Sequence, residues 1–193
     1  MAFSRTETEM NAGPDPLYAA LRENNLLSER LLGAQQYVGE LANLLVAVNS
    51  LHAAADPAGV VTAVREVVAN LVGSEEFALF EVGPGNRTRL VDASGVIDDA
   101  LGDPATGIVG AVASTGRPFI RRAGGAGVPG SDASITACLP LRIRASVVGV
   151  LTIFRLLPHK SALEDGDLAL FDLLSTHVAS ALLLSRPEGE ARP

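Results

Sequence analysis

With 193 residues, 48% of them hydrophobic and only 4% aromatic, the chain has material for one domain plus a helical extension, its core built from Val, Leu, Ala and Ile. A formal net charge of −7 excludes the basic surface that nucleic-acid binding needs. A lone cysteine, Cys138, excludes an intramolecular disulfide, and with neither a signal peptide nor an apolar run of about 18 residues the expectation is a cytoplasmic protein without membrane insertion.

Residues 1–16 are polar and contain Gly13, Pro14 and Pro16, which predicts a disordered leader. From there the apolar residues recur at alternating spacings of three and four: Leu17, Ala20, Asn24, Leu27, Leu31, Ala34, Val38, Leu41, Leu45, Val48. That is a heptad seam on a helix spanning 17–55, roughly 58 Å long at about 1.5 Å per residue. Asn24, at a central seam position, fits the registry role of a buried Asn in a parallel dimer; the alternative is an Asn near a frayed helix end. Gly33 and Gly39 lower helix propensity by up to about 1 kcal/mol each, so the first half needs a partner. Beyond Leu41 the apolar face widens to Leu44, Val46 and Leu51, as in a bundle of several helices.

Asp56-Pro57 predicts a second helix, capped by Asp and ended at Gly73, with an inner face of Val60, Val61, Val64, Val67, Val68 and Leu71. Strands are expected at Phe77–Val82 and Arg89–Ser94, joined by the turn Gly83-Pro84-Gly85-Asn86. A short helix over the Gly107-Ile-Val-Gly-Ala-Val-Ala-Ser-Thr-Gly116 stretch, a strand at 118–122 and a glycine-rich loop at 124–130 follow. The densest β signal is the pair 134–143 and 147–156, separated by Arg144-Ala145-Ser146. Ser161-Ala-Leu-Glu164 reads as a capping box opening a last helix that carries Leu168, Phe171, Leu174, Val178, Ala181 and Leu182. The tail 186–193 is expected to be flexible.

Three stretches carry a resemblance. Thr106-Gly-Ile-Val-Gly-Ala-Val-Ala-Ser-Thr-Gly-Arg-Pro-Phe-Ile120 looks like a short helix leading into a strand, Ile135–Ile143 with Val147–Ile153 like paired central strands, and Leu163–Phe171 like the start of a closing helix. In this order, over roughly residues 45–185, the chain resembles a GAF domain of the bacterial, stand-alone type. The resemblance implies an α+β fold, a central antiparallel sheet flanked by helices, here with a long N-terminal helix. The implied domains are a dimerisation helix over 17–55 and a GAF domain over 56–185.

The glycines of 107–116 do not read as a phosphate loop. No strand runs straight into them, and there is no lysine between Met1 and His159 to serve the phosphates. They suit a close backbone approach at Gly107 and Gly110 and a left-handed helix stop at Gly116. In GAF domains this helix borders the ligand cavity. The resemblance therefore makes Ile108, Val112, Ser114, Phe119, Arg121, Thr136 and Cys138 the expected pocket lining for a small molecule, with no cofactor expected. By itself Cys138 reads as a small buried hydrophobe in a core strand.

No catalytic residue and no metal site is expected. The chain lacks a G-x-S-x-G elbow, so Ser114 is a poor nucleophile; Glu164, Asp165 and Asp167 sit where a helix N-terminus favours acids. His52 lies on the seam, His159 in a turn, and His177 on the last helix as a bundle-facing or surface residue. The known ligand subtypes are also disfavoured. Asn86 is followed by Arg-Thr-Arg, not by the cyclic-nucleotide signature; Cys138 stands between Ala137 and Leu139 and has no neighbouring His for bilin attachment. No His falls between His52 and His159 for haem, and one cysteine is too few for sulfoxide reduction.

The expected function is a non-enzymatic regulatory or sensory module acting on a separate output or scaffold protein. It would be homodimeric through Leu17, Asn24, Leu27, Leu31, Val38, Leu41, Leu45 and Val48 on the first helix and Phe171, Leu174 and Val178 on the last. The alternative is a structural adaptor with an empty GAF core docked in a larger assembly. A sensor should keep a cavity with a few polar groups; a scaffold should have that space filled by side chains.

Overall fold

A computed structural model of the protein describes residues 16–96, 107–121 and 134–184. The expected leader, the glycine-rich loop at 124–130 and the tail at 186–193 lie outside these residues, except that Pro16 is the first residue of helix α1. Helix α1 runs Pro16–Ala53, two residues short of the expected end. The chain forms two compact units, one through Leu41 and one from Ala42 onward.

In the first unit α1 carries its apolar side chains in solvent: Leu17, Leu27, Leu31 and Val38 are 56–64% exposed, and Leu41 is 47% exposed. Tyr18, Leu21, Leu26, Leu32 and Tyr37 are exposed as well, so apolar surface extends well beyond the a and d seam.

The second unit is a five-stranded antiparallel sheet of order β2-β1-β5-β4-β3 with helices on both faces. Its strands are β1 (Phe77–Val82), β2 (Thr88–Ser94), β3 (Phe119–Ile120), β4 (Ala137–Ile143) and β5 (Ser146–Ile153). β4 and β5 are shorter than predicted at their outer ends, running Ala137–Ile143 and Ser146–Ile153. Successive side chains alternate between the faces. Phe77, Leu79, Leu139, Leu141, Leu151 and Ile153 point to one core, and Ala78, Phe80, Cys138, Val150 and Phe154 to the other.

The first core is covered by the end of α1, by α2 (Pro57–Val67) and by α4 (Asp165–Leu184). Ala47 and Leu51 of α1 are fully buried there, with Leu44 packed beside them. Asp56 caps α2 by accepting the Gly59 N–H at 2.7 Å, and Pro57 occupies the first turn, where its missing N–H costs nothing. α2 passes into a single π-turn, Val68–Val72, closed by Gly73 in the left-handed region at φ 77. The wider turn rotates the helix face, so Val72 is buried while Leu71 is only partly covered; Val61, ahead of the turn, is also only partly covered.

Two local features anchor this arrangement. Pro140 stands in the interior of β4, yet β3 is only two residues long and pairs no further than Cys138, so no ladder bond is required on that side. Gly149 of β5 faces a neighbour so near that an added Cβ would lie 2.8 Å from the Phe80 carbonyl oxygen.

The expected capping box does not form. α4 starts at Asp165, and Asp167, three residues past Glu164, turns back to accept the Glu164 N–H at 2.7 Å. Asp167 is 5% exposed, and its other oxygen takes the Lys160 ammonium at 2.7 Å. α4 is long and apolar enough to cross a membrane by composition, but Leu170, Phe171, Leu174, Val178, Ala179 and Ala181 cover the sheet. Leu168 is exposed and Leu182 only partly buried, unlike the predicted inward stripe.

Candidate functional site

The opposite face of the sheet carries α3 (Gly107–Thr115). Gly107 precedes its body in the left-handed region at φ 70, and Gly116 ends it at φ 64, donating its N–H to the Val112 carbonyl at 2.9 Å. A side chain at Gly116 would press on the Arg142 guanidinium and on Val147, so the stop also sets how close the helix lies to the β4–β5 hairpin.

Between α3 and the sheet is a continuous apolar cluster. Val109, Val112 and Ala113 from α3 meet Phe80, Val150 and Phe154 from the sheet side, with Ile108, Phe119 and Val147 packed at its margin. Of the expected pocket residues, Ile108, Val112, Phe119 and Cys138 belong to this cluster. They are brought together, Val112 and Cys138 inside the cluster and Ile108 and Phe119 packed against it.

The polar members behave differently. Ser114 is exposed, and its hydroxyl donates to the Ala111 carbonyl on its own helix, so it does not face the sheet. This corrects its placement in the lining: on a nine-residue helix with apolar residues all round, hydropathy could not select the inner face. Arg121 donates Nε–H to the Ile135 carbonyl at 2.7 Å and holds its guanidinium over the Phe119 ring at 5.8 Å. It fastens the end of β3 to the segment entering β4. Thr136 joins the same seam through its backbone: its carbonyl accepts the Arg121 N–H and its N–H donates to Ile153. Cys138 is fully buried with its Sγ 3.5 Å from the Thr152 hydroxyl, a polar pair that sequence reading did not anticipate because its members are 14 residues apart on adjacent strands.

The expected interface residues also divide. Leu17, Asn24, Leu27, Leu31, Val38, Leu41 and Leu45 are exposed, and Val48 is half-buried. Phe171, Leu174 and Val178 are not available to a second chain, being 0–2% exposed in the core beneath α4. Periodicity marked them as buried, and the sheet of the same chain is what buries them.

No group of three or more His, Cys, Asp or Glu suited to a metal occurs among the described residues. His52 and His177 do meet, however, with Nε2 of the first 3.0 Å from Nδ1 of the second. Arg155 grips Glu76 across the sheet end at 2.7 Å, and hydrogen bonding first, charge second, raises the guanidinium pKa. That pair is exposed and structural.

Residues 56–183 match the family model described as "GAF domain". Among solved structures, the chain is similar to the GAF domain from Acinetobacter phosphoenolpyruvate-protein phosphotransferase, at 17% identity and a TM-score of 0.59, covering 79% of this chain and 97% of that one. It is also similar to the GAF domain of a putative sensor histidine kinase from Pseudomonas syringae pv. tomato, at 21% identity and a TM-score of 0.55, covering 79% and 91%. The corresponding domain from Coxiella burnetii gives 16% identity, a TM-score of 0.57, and coverage of 74% and 92%. A comparison with curated protein sequences finds no match.

Proposed function

The chain belongs to the GAF domain family, whose members serve as sensory and regulatory modules in signalling proteins, and on that premise we propose that it is a non-enzymatic cytoplasmic regulator that works as a homodimer. It acts on a separate partner protein. One observation carries the reading: the row Leu17, Leu27, Leu31, Val38, Leu41 and Leu45 recurs at heptad spacing in the sequence of α1 and is exposed. A helix that leaves such a row in water is marginal alone, since isolated helices draw most of their stability from a packed apolar face. Asn24 in the same series suits a parallel pair.

Sedimentation equilibrium of the full chain at micromolar concentration tests this. The expected result is a dimer that Leu31→Glu with Leu45→Glu converts to a monomer, while circular dichroism of the GAF domain is unchanged; a monomeric unmodified chain would sink the proposal.

A second reading, a structural adaptor that senses nothing, is favoured by one observation. Between α3 and the sheet, Phe80, Val109, Val112, Val150 and Phe154 are all buried in one apolar cluster. Native mass spectrometry of the freshly purified chain separates the two readings, because a sensor should retain a small molecule and an adaptor should not.

A further inference from the structure

We propose that His52 and His177 form one half of a divalent transition-metal site, completed by the same two residues of a second copy of this chain. The proposal rests on the dimer reading above.

The half-site is present in a single chain. His52 stands near the C-terminal end of α1 and His177 in the body of α4, 125 residues apart, with Nε2 and Nδ1 separated by 3.0 Å. The rings meet edge to face, centroids 5.2 Å apart and planes at 86°. Two imidazole nitrogens, each about 2.0–2.1 Å from one metal, lie roughly 2.9 Å apart at a right angle and roughly 3.4 Å apart at the tetrahedral angle. The observed spacing falls inside that interval, so a metal could be bound without separating the two nitrogens, each ring swinging by roughly 35–45° from its hydrogen-bonding direction to aim its lone pair at the shared point.

At present one nitrogen must carry the shared hydrogen. When a metal enters, that imidazole moves its proton to its other ring nitrogen, and no net proton leaves the neutral pair.

Two ligands do not close a site, and among the described residues this chain offers no third. The heptad supplies the rest. His52 is seven residues beyond Leu45 and continues the series Asn24, Leu31, Val38, Leu45. In a parallel pair each residue of such a series meets its own counterpart across the axis. Two copies of His52 therefore converge, each with His177 at its side. Four imidazoles satisfy the tetrahedral preference of Zn2+, and imidazole suits Zn2+, Cu2+ and Ni2+ more than Mg2+ or Ca2+. The net charge of −7 on each chain favours a cation at their junction. In an antiparallel pair the same residues would be carried to opposite ends, so the site also specifies orientation.

The test uses the untagged full chain stripped with EDTA. Sedimentation without metal first reports on the dimer by itself. Titration with Co2+ is expected to give the intense visible bands of a tetrahedral centre at one metal per two chains, and Zn2+ to displace it and tighten the dimer at least tenfold. H52Q and H177Q should each abolish the bands, whereas H159Q keeps them, with circular dichroism checking the fold of every variant.

A metal-free dimer that gives no Co2+ bands overturns the metal site and leaves the dimer standing. A chain that is monomeric alone but pairs around one Zn2+ upholds the site and overturns the unaided dimer. Binding at one metal per monomer, or bands unchanged in H52Q and H177Q, overturns the four-imidazole assignment.

Discussion

Replacing Phe80 by Ala asks whether the space beneath α3 is packed or open. Phe80 is 2% exposed and lies against the cluster of Val109, Val112, Val150 and Phe154. Burying such a ring contributes about 1.5–3 kcal/mol, and where the surrounding core cannot close up, the cavity left behind raises the loss to about 3–5 kcal/mol. If the ring already bordered an open chamber, no new cavity would form and the cost would stay near the lower range. The packing here calls for at least about 3 kcal/mol, which for a chain of this size lowers Tm by roughly 6 °C or more.

Val112→Phe supplies the converse test. Forcing a ring into a filled cluster destabilises by about 1–3 kcal/mol, whereas an open chamber would accept it at little cost. Urea unfolding at constant m-value measures both variants. A loss under about 2 kcal/mol for F80A, together with a neutral or stabilising V112F, would refute the filled core and with it the adaptor reading.

Other consequences follow from single contacts. Asp167→Ala removes the partner of a mostly buried ammonium and the acceptor of the Glu164 N–H, and should lower stability by about 3 kcal/mol; adding Lys160→Met should recover part of that loss in the same denaturation assay. Gly149→Ala drives a Cβ toward the Phe80 carbonyl at 2.8 Å and should lose about 1–3 kcal/mol by forcing β1 and β5 apart. An unfolding midpoint equal to the parent's would count against that close approach.

Much of the fold was legible because its signals are local. Asp56-Pro57, Gly73 and Gly116 declare helix ends through backbone chemistry that neighbours do not alter, and the 77–94 hairpin announces itself by two β-prone runs around Gly-Pro-Gly-Asn. The misses share a different cause. Apolar spacing states that Phe171, Leu174 and Val178 are covered, but not by which surface. Ser161 has the right type for a cap, yet six residues later the chain places a carboxylate, Asp167, that reaches both the Glu164 N–H and Lys160, and that pairing draws the start to Asp165. The His52–His177 and Cys138–Thr152 pairs join distant segments, and no single window of sequence displays both members.

The strand order has a consequence for synthesis. β1 sits between its hairpin partner β2 and β5, and Leu79 pairs with Leu151, a residue that leaves the ribosome 72 positions later. At about 5–20 residues per second, the β1–β2 hairpin, complete at Ser94, waits roughly 3–11 s with the inner edge of β1 unpaired. For that interval Phe77, Leu79 and Phe80 have no β5 to lie beside. β1, an interior strand of the finished sheet, is thus an open edge on the nascent chain, and its vulnerability to stray pairing is set by how quickly the residues from the end of β2 to the end of β5 are translated.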